Sequence, residues 1–313
     1  MFSQVTSGAI YGLEVMPIRV QADLSDGFPS YTMVGFLASE VKESRERVTT
    51  ALRNRGFRMP AKRAVINLAP ADLKKQGTAF DLPIAAGILC SLGIIESKKL
   101  EDVLLIGELS LDGSVLPVKG ALPIARMAQR EGIKSCFVPY ANREEAALCK
   151  GVNVYGIKDI GEMVLHLNGK RTIEKAEADI EALLKSEKTY ISSDFADIEG
   201  QTAMKRACEI AAAGGHSLML IGAQGTGKTM AAACMPYIMP EMSLPECLEA
   251  TEIASIAGLL GEDRALVTQR PFRSPHASIT RAAMIGGGSI PKPGEITLAQ
   301  HGILFMDELE EYH

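Results

Sequence analysis

Eight consecutive residues in the second half of the sequence have the types and spacing of a phosphate-binding loop. They match the pattern GxxxxGK[ST] completely: Gly222, Ala223, Gln224, Gly225, Thr226, Gly227, Lys228 and Thr229. An apolar run at 217–221 precedes the loop, and an alanine-rich run beginning at Met230 follows it. This context predicts a strand, a glycine loop and a helix, which is the arrangement that such a loop requires.

The residue types of the loop suit a nucleoside triphosphate. Its glycines let backbone N–H groups turn toward phosphate oxygens, and a helix starting near Gly227 adds the positive end of its dipole. Lys228 would reach the β- and γ-phosphates, and the Thr229 hydroxyl would bind Mg²⁺. The sequence therefore predicts ATP and Mg²⁺ as ligands, with Met230 at the end of the nucleotide-binding segment.

A pair of acids near the end of the sequence could complete this chemistry. Apolar residues 303–306 predict a strand, and Asp307 and Glu308 follow it. Asp307 would hold Mg²⁺, directly or through water, and Glu308 would polarise the attacking water. In isolation the acids could be a solvated turn with Glu310 and Glu311, but downstream of the loop a catalytic role is favoured. An ATPase domain needs more sheet and helix after this strand, so we interpret the sequence as truncated and expect little or no turnover from it.

The composition limits the class of protein. The sequence has 313 residues, a hydrophobic fraction of 47%, a net charge of −5 and no Trp, which fits two folded domains and gives no global signature of nucleic-acid binding. Its six cysteines lack metal-ligand spacing and are expected to be reduced. Neither a signal peptide nor a membrane-spanning run is predicted, so we expect a cytoplasmic protein with no membrane partner.

Strand-like and helix-like segments alternate through the first half of the sequence, which predicts an α/β or α+β domain. A charged helix at 174–188 and a polar stretch after it indicate a linker. We therefore predict a first domain at 1–168, a linker at 169–193 and a second domain at 194–313. The predicted strands are 11–24, 63–68, 103–107, 114–118, 134–138 and 152–155, and the predicted helices are 38–55, 82–92, 122–130, 143–150 and 160–167.

Several segments of the second half resemble the magnesium-chelatase-like AAA+ ATPases of the YifB/ComM type. They are 209–216, 222–229, 270–276, 285–295 and 298–308. The first half resembles the amino-terminal domain of the same family in segments 41–48, 67–74 and 80–85. That domain is similar to the Lon-protease fold, also called the ribosomal protein S5 domain 2-like fold. The resemblance covers essentially the whole sequence.

The resemblance implies an α/β protein with a Lon-protease-like domain followed by an AAA+ P-loop NTPase core that is truncated after the Walker B acids. It implies a hexameric, ATP-driven DNA motor that acts on branched or single-stranded DNA, with helicase or branch-migration activity in natural competence. An alternative is a metal-inserting ATPase subunit of the magnesium chelatase type. The sequence departs from the family pattern at Ala223, Gln224, Ala277, Arg281 and Glu310, but backbone N–H groups hold phosphates, so nucleotide binding should survive.

The first domain is not expected to be a peptidase. A Lon-type site needs a serine nucleophile and a lysine base. By rough alignment these positions fall on Ala79 and Ile124, and the nearby Thr78 and Lys119 make only a weak displaced dyad. An active-site serine probe that labelled Thr78 or Ser91 would overturn this expectation.

Three further groups of residues are candidates for binding. Ile198 could pack on adenine while the backbone near Gly200 reads its edge, although this segment could equally be an ordinary helix entry capped by Asp197. Residues 269–294 contain no acid, and their cations could contact DNA phosphates or a neighbouring subunit: Arg270, Arg273, Arg281 and Lys292. The run 42–63 holds eight basic residues and two acids, which favours a solvated helix face over a DNA-binding patch. His166 and His301 are expected to be structural.

Overall fold

The structure is a computed structural model that describes residues 1–186, 194–261, 264–288 and 291–312. It divides into two compact units, Met1–Ala178 and Asp179–His313. The architecture is mixed α/β with a parallel-rich sheet, as the sequence predicts.

The first unit contains nine strands and five helices within its described residues. The strands are β1 Phe2–Tyr11, β2 Glu14–Ser25, β3 Ser30–Val34, β4 Arg63–Ala69, β5 Val103–Leu105, β6 Glu108–Leu109, β7 Val115–Leu116, β8 Ser135–Pro139 and β9 Asn153–Ile157. The helices are α1 Ser39–Asn54, α2 Asp81–Ser91, α3 Ala121–Arg130, α4 Arg143–Ala147 and α5 Ile160–Leu167.

One seven-stranded sheet organises the first unit, in the order β3-β4-β2-β1-β5-β8-β9. β1 and β2 form a long antiparallel hairpin, in which Phe2 pairs with Asp23 and Tyr11 with Glu14. The sequence prediction of a single strand at 11–24 is therefore wrong at its start. Gly12 has a φ of +66°, so the chain turns there, and two strands share one alternating pattern.

Helix α2 lies in the middle of the core, and all of its residues are buried. It packs closely on the hairpin, since a Cβ at Gly87 would lie 3.3 Å from that of Ala22. Helix α1 is amphipathic and buries Val41, Val48 and Leu52 against the same core. Burial of these apolar side chains, at about 25 cal/mol per Å² of apolar surface, is the main stabilising term for this unit.

The second half of this sheet is parallel, as expected where strands and helices alternate. β5 pairs with β8, and β8 pairs with β9. The strands predicted at 103–107 and 114–118 flank a Leu-Asp-Gly turn signal at 111–113, which predicts that they form a hairpin. This pairing is wrong, because β5 enters the large sheet and the hairpin joins β6 to β7. Residues beyond 168 also belong to this unit, since the Ala176 N–H donates to the Val154 carbonyl at 2.8 Å.

The second unit contains six helices and four short strands within its described residues. The helices are α6 Ile180–Ser186, α7 Thr202–Gly214, α8 Lys228–Ile238, α9 Leu244–Ala257, α10 Arg281–Ile285 and α11 Glu295–Leu298. The strands are β10 Phe272–Arg273, β11 Gly286–Gly287, β12 Lys292–Pro293 and β13 Ile303–Leu304. The charged helix predicted at 174–188 begins only at Ile180, and its last two positions lie outside the described residues.

The apolar run 217–221 does not form the predicted strand. Met219 is 67% exposed and Ile221 is 89% exposed, and no described residue forms a ladder with this segment. A strand requires a hydrogen-bonded neighbour, so apolar character alone did not decide the structure here. Among the described residues, no helix has both the length and the apolar character to cross a membrane.

Candidate functional site

The phosphate-binding loop is an open turn that leads directly into a helix. Gly225 has a φ of +76° and Gly227 a φ of +83°, and an L side chain would be strained at either position. Gly227 is the N-cap of α8, and its carbonyl accepts from the Ala231 N–H at 2.8 Å. A Cβ at Gly225 would meet nothing within 4 Å. The glycines therefore shape an accessible concave backbone at a helix N-terminus, where a phosphate group binds favourably.

Lys228 holds this turn in its curled shape. Its Nζ donates to the carbonyls of Gly222 at 2.8 Å and of Ala223 at 2.9 Å. The Thr226 hydroxyl donates to the same Ala223 carbonyl at 2.9 Å. The ammonium group thus lies inside the curve of the loop, which is where an anionic ligand would meet it.

The structure brings together Thr229 and Asp307, which lie 78 residues apart in the sequence. The Thr229 hydroxyl donates to Asp307 Oδ2 at 3.1 Å. Two adjacent oxygen ligands of an octahedral Mg²⁺, each about 2.1 Å from the metal, lie about 3 Å apart. Both ligand types and their spacing therefore fit Mg²⁺ without rearrangement of the backbone.

Glu308 adopts an unusual backbone conformation beside this pair. It has a φ of 52° and a ψ of 55°, the left-handed region that costs a non-glycine residue about 1–2 kcal/mol. Its N–H donates to Asp307 Oδ1 at 3.1 Å, and its side chain is exposed. The hydrogen bond orients Asp307, and the turn leaves the Glu308 carboxylate accessible to water.

Strand β13 delivers the two acids to the site. It pairs in parallel with β10, where Phe272 faces Ile303 and Arg273 faces Leu304. The ladder extends past the strand, because the Phe305 N–H donates to the Arg273 carbonyl at 2.8 Å. The position of Asp307 is therefore set by its neighbouring strand.

Two of the predicted DNA-contacting arginines are engaged inside the second unit. Arg270 is 11% exposed, and it donates to the carbonyls of Pro240 and His301, each at 2.6 Å. Arg273 forms a bidentate ion pair with Glu295 at 2.6 and 2.7 Å, which raises the pKa of the guanidinium. The sequence shows that 269–294 contains no acid. It does not show that carbonyls and an acid from outside this segment bind the two arginines.

The other two predicted cations remain on the surface. Arg281 begins the short helix α10, and Lys292 lies in the two-residue strand β12, which pairs with β11. Both side chains are exposed and have no ion pair among the described residues. These two positions are the ones available to a phosphate backbone or a neighbouring subunit.

The two residues predicted to contact adenine differ in burial. Ile198 is 6% exposed and packs with Cys208, Ala231 and Cys234, so it supports the first turns of α8 from behind. Gly200 is exposed and has a φ of +65°. Asp197 does not cap α7; its carboxylate instead accepts from the Asp194 N–H at 3.1 Å in a capping box around the short turn 195–197.

His301 has a structural role, and the sequence did not show which residues it contacts. It has a φ of 61°, and its carbonyl accepts the bond from Arg270. Its Nε2 lies 2.7 Å from Glu249 Oε2, and its Nδ1 lies 3.6 Å from Glu246 Oε1. This cluster ties α9 to the turn that enters β13.

In the first unit, the candidate peptidase residues differ in burial and in their hydrogen-bond partners. The Thr78 hydroxyl donates to the Glu108 carboxylate. Ser91 is buried and donates to the Ala22 carbonyl at 3.0 Å. Ile124 is 2% exposed in the core, and Lys119 is exposed.

The basic run 42–63 is partly neutralised by local acids. Arg47 forms a bidentate pair with the fully buried Asp81 at 2.7 and 3.0 Å. Burial raises the pKa of the Asp81 carboxyl, and the guanidinium beside it opposes that rise. Arg55 and Lys62 lie 3.6 and 3.0 Å from acids. In the same unit, His166 packs on Phe137 and Tyr155 and accepts from a backbone N–H, and burial lowers its pKa.

Comparison with known proteins found a family match in each of the two units. The family described as "Magnesium chelatase, subunit ChlI" matches residues 194–313, and "Subunit ChlI of Mg-chelatase" matches residues 20–142. YifB of Escherichia coli is 41% identical over 310 residues, and the competence protein ComM of Haemophilus influenzae is 40% identical over 310 residues. These alignments cover 99% and 98% of the chain.

The chain spans about 60% of the length of each of these two relatives. Lon protease 2 of Bacillus subtilis is 30% identical over 129 residues, which cover 40% of the chain and 22% of that protease. The Lon similarity and the magnesium chelatase matches fit an AAA+-like α/β fold. The chain is therefore a member of the magnesium-chelatase-like family, of the YifB/ComM type.

Proposed function

We propose that this chain is the nucleotide-binding part of an ATP-driven motor that moves DNA strands. Membership of the family supports ATPase activity in general. The observation that carries the proposal for this chain is the 3.1 Å approach of Thr229 to Asp307 beside the glycine loop. For the whole protein we propose a cytoplasmic hexameric ring that catalyses branch migration during natural transformation.

The residues of the chain have separate tasks in ATP hydrolysis. The backbone N–H groups around Gly225 and Gly227 bind the phosphates, and Lys228 exchanges its loop carbonyls for β- and γ-phosphate oxygens. Thr229 and Asp307 would hold Mg²⁺, which neutralises charge on the phosphates when it is bound. Glu308, whose side chain is exposed, would accept a proton from a water whose oxygen bonds to the γ-phosphorus while the bond from that phosphorus to the β-phosphate oxygen breaks and ADP leaves.

The chain by itself should hydrolyse ATP slowly. A neighbouring subunit's arginine typically raises the rate of such enzymes by about 10³–10⁵. Within the described residues of the second unit, Arg270 and Arg273 are already held by Pro240, His301 and Glu295. Binding without efficient turnover is therefore the expected behaviour of the chain.

Arg281 and Lys292 are the candidates for DNA contact in the second unit, because they are exposed and unpaired among the described residues. Removing one of these cations from a phosphate should reduce the salt dependence of DNA binding by about one unit of slope. Charge reversal at both positions should weaken binding, whereas charge reversal at Arg206, an exposed cation paired with Glu209, should not.

A metal-inserting ATPase subunit is the second candidate function. It is favoured by the matching family, which is described as a magnesium chelatase subunit. The first unit does not separate the two candidates, because it is similar both to a Lon protease and to a family described as a magnesium chelatase subunit. The similarity of almost the whole chain to the competence protein ComM favours the DNA motor. Stimulation of ATP hydrolysis by DNA, or by a porphyrin-loading partner, distinguishes the two.

The test is a comparison of ATP hydrolysis with and without branched DNA, in this chain and in a protein that spans the full length of the relatives. We expect DNA to stimulate the longer protein and Glu308→Gln to abolish the stimulation while nucleotide still binds. Hydrolysis that responds to the porphyrin-loading partner but not to DNA would favour the second candidate.

A further inference from the structure

One face of the first unit's sheet is open to solvent over four strands. The opposite face is covered by α1 and α2, and on the open side α3 covers only the region around Gly8, where Ile124 and Met127 would lie 3.1 and 3.2 Å from an added Cβ. Successive side chains of a strand point to opposite faces of the sheet, so every second side chain of β1, β2, β4 and β3 points to the open side. Away from α3, the burial patterns of β1, β2 and β4 agree, since these positions are exposed or half-buried while their neighbours in sequence are buried. In β3 the outward positions are exposed and their neighbours are half-buried.

The centre of this surface, here named the open face, is an uncharged amide row. Gln4 is in register with Gln21, and Gln21 with Asn67. Asn67 Nδ2 donates to Gln21 Oε1 at 2.8 Å, and Gln21 Nε2 donates to Gln4 Oε1 at 3.1 Å. Each amide group has two N–H donors and two acceptor lone pairs, so the row retains hydrogen-bonding capacity that points away from the protein.

Cations lie at both ends of the open face. Arg63 is in register with Ser25 and Ser30, and Arg19 is in register with Ala69 at the other end of β4. Six residues of strand separate these two rows, which corresponds to roughly 20 Å. Both arginines are exposed and have no ion pair among the described residues.

The carboxylates near the open face are already neutralised. Asp23 lies 3.5 Å from the Met1 amino group, and Asp26 at the rim lies 3.0 Å from Lys62 Nζ. The two free arginines therefore leave this surface with local positive charge, although the whole chain is negative. A positive surface of this kind attracts a polyanion.

Aromatic rings stand at two borders of the same surface. Phe28 is 89% exposed in the turn before β3, close to Arg63, since a Cβ added at the adjacent Gly27 would lie 4.0 Å from the Arg63 Cβ. Phe2, in register with Asp23, is 60% exposed on β1. An exposed ring beside a cation favours stacking of a nucleobase.

We propose that the open face binds single-stranded nucleic acid. Arg19 and Arg63 hold backbone phosphates, Phe28 stacks on a base, and the amide row of Gln4, Gln21 and Asn67 bonds to base edges. A duplex hides its Watson–Crick edges in base pairs and its base faces in stacking, whereas a single strand offers both to the amides and the ring. A protein partner with an apolar surface would face amides, so a single strand fits best. This inference deepens the proposed function by assigning a strand-holding surface that is distinct from Arg281 and Lys292.

The test is fluorescence anisotropy of a labelled oligothymidylate of about 20 nucleotides, which exceeds the footprint of a single binding surface. The 313-residue chain is titrated at several salt concentrations. Phe28→Leu, which keeps an apolar side chain but removes the ring, should weaken binding about tenfold, and Phe28→Tyr should restore it. Replacing Arg19 and Arg63 by Gln should lower the salt slope by about 1.4, because one phosphate contact on a single strand contributes about 0.7.

Arg53→Gln is the matched control, because Arg53 is an exposed cation on α1, which covers the opposite face of the sheet. It should leave both affinity and slope unchanged, and thermal unfolding should be the same for all of these exposed variants. Equal weakening by Arg53→Gln, or no effect of the open-face variants, would overturn the proposal. So would competition by polyglutamate as effective as that by unlabelled oligonucleotide, since an acidic peptide has no ring to stack.

The outcome is separable from that of the ATPase proposal. Lys228→Ala should remove ATP binding while the oligothymidylate affinity stays the same. If the unmodified chain binds ATP but its open face does not bind DNA, this inference alone is contradicted. If the unmodified chain binds DNA but does not bind ATP, the proposed function alone is contradicted.

Discussion

Replacement of Arg270 by Ala separates an internal structural role from a DNA-contact role. The guanidinium donates to the carbonyls of Pro240 and His301 at 2.6 Å each, and its side chain is 11% exposed. A hydrogen bond to a charged group contributes about 1.5–3 kcal/mol, and removal of the donor leaves both carbonyls without it. We therefore expect Arg270→Ala to destabilise the second unit by about 3 kcal/mol.

Differential scanning calorimetry measures the effect. A destabilisation of about 3 kcal/mol should lower the unfolding temperature of the second unit by about 10 °C, with the transition of the first unit unchanged. Arg270→Lys should be nearly as unstable, because one ammonium group cannot reproduce the planar donor geometry. Arg281→Ala is the control and should change stability by less than about 0.5 kcal/mol. An unaltered transition in Arg270→Ala, combined with weaker DNA binding, would refute this reasoning and restore Arg270 as a DNA contact.

Three further outcomes are expected. Arg47→Ala should destabilise the first unit by about 3 kcal/mol, because it leaves Asp81 buried without a partner, whereas Arg47→Met combined with Asp81→Leu should recover most of that stability in urea unfolding. Hydrogen bonds from Ser243 lower the pKa of Glu246 in the folded protein. The ionised Glu246 carboxylate therefore stabilises the fold above the unfolded pKa of about 4.3, and this stabilisation is lost as the pH falls through the lower folded pKa. The difference in unfolding temperature between wild type and Glu246→Gln should vanish in acid. A serine-directed fluorophosphonate probe should not label the chain, and labelling that disappears in Thr78→Ala would contradict the prediction of no peptidase activity.

The phosphate-binding loop could be predicted because its chemistry lies in consecutive residues. The glycines that reach positive φ, the lysine inside the turn and the helix that follows are all encoded within 222–238. Asp307 could be predicted because acids directly follow an apolar strand. Its hydrogen bond to Thr229 depends on β10 and β13 pairing, which the sequence does not specify.

Other features depended on partners far away in the sequence. The segment 269–294 has no acids, but Arg270 and Arg273 find carbonyls and Glu295 outside it. The run 11–24 follows one alternating pattern, and only the turn at Gly12 divides it into the hairpin. The amide row of the open face exists because three strands align in register, and no single segment contains it.

We propose that Lys228, Thr229 and Asp307 form one site for ATP and Mg²⁺. Isothermal titration calorimetry of the chain with ATP, in the presence and absence of Mg²⁺, tests it most directly when wild type, Lys228→Ala and Asp307→Asn are compared. We predict Mg²⁺-enhanced binding in wild type, no measurable binding in Lys228→Ala, and binding in Asp307→Asn that no longer responds to Mg²⁺. Equal ATP affinity in wild type and Lys228→Ala would show that this loop is not the ATP-binding site.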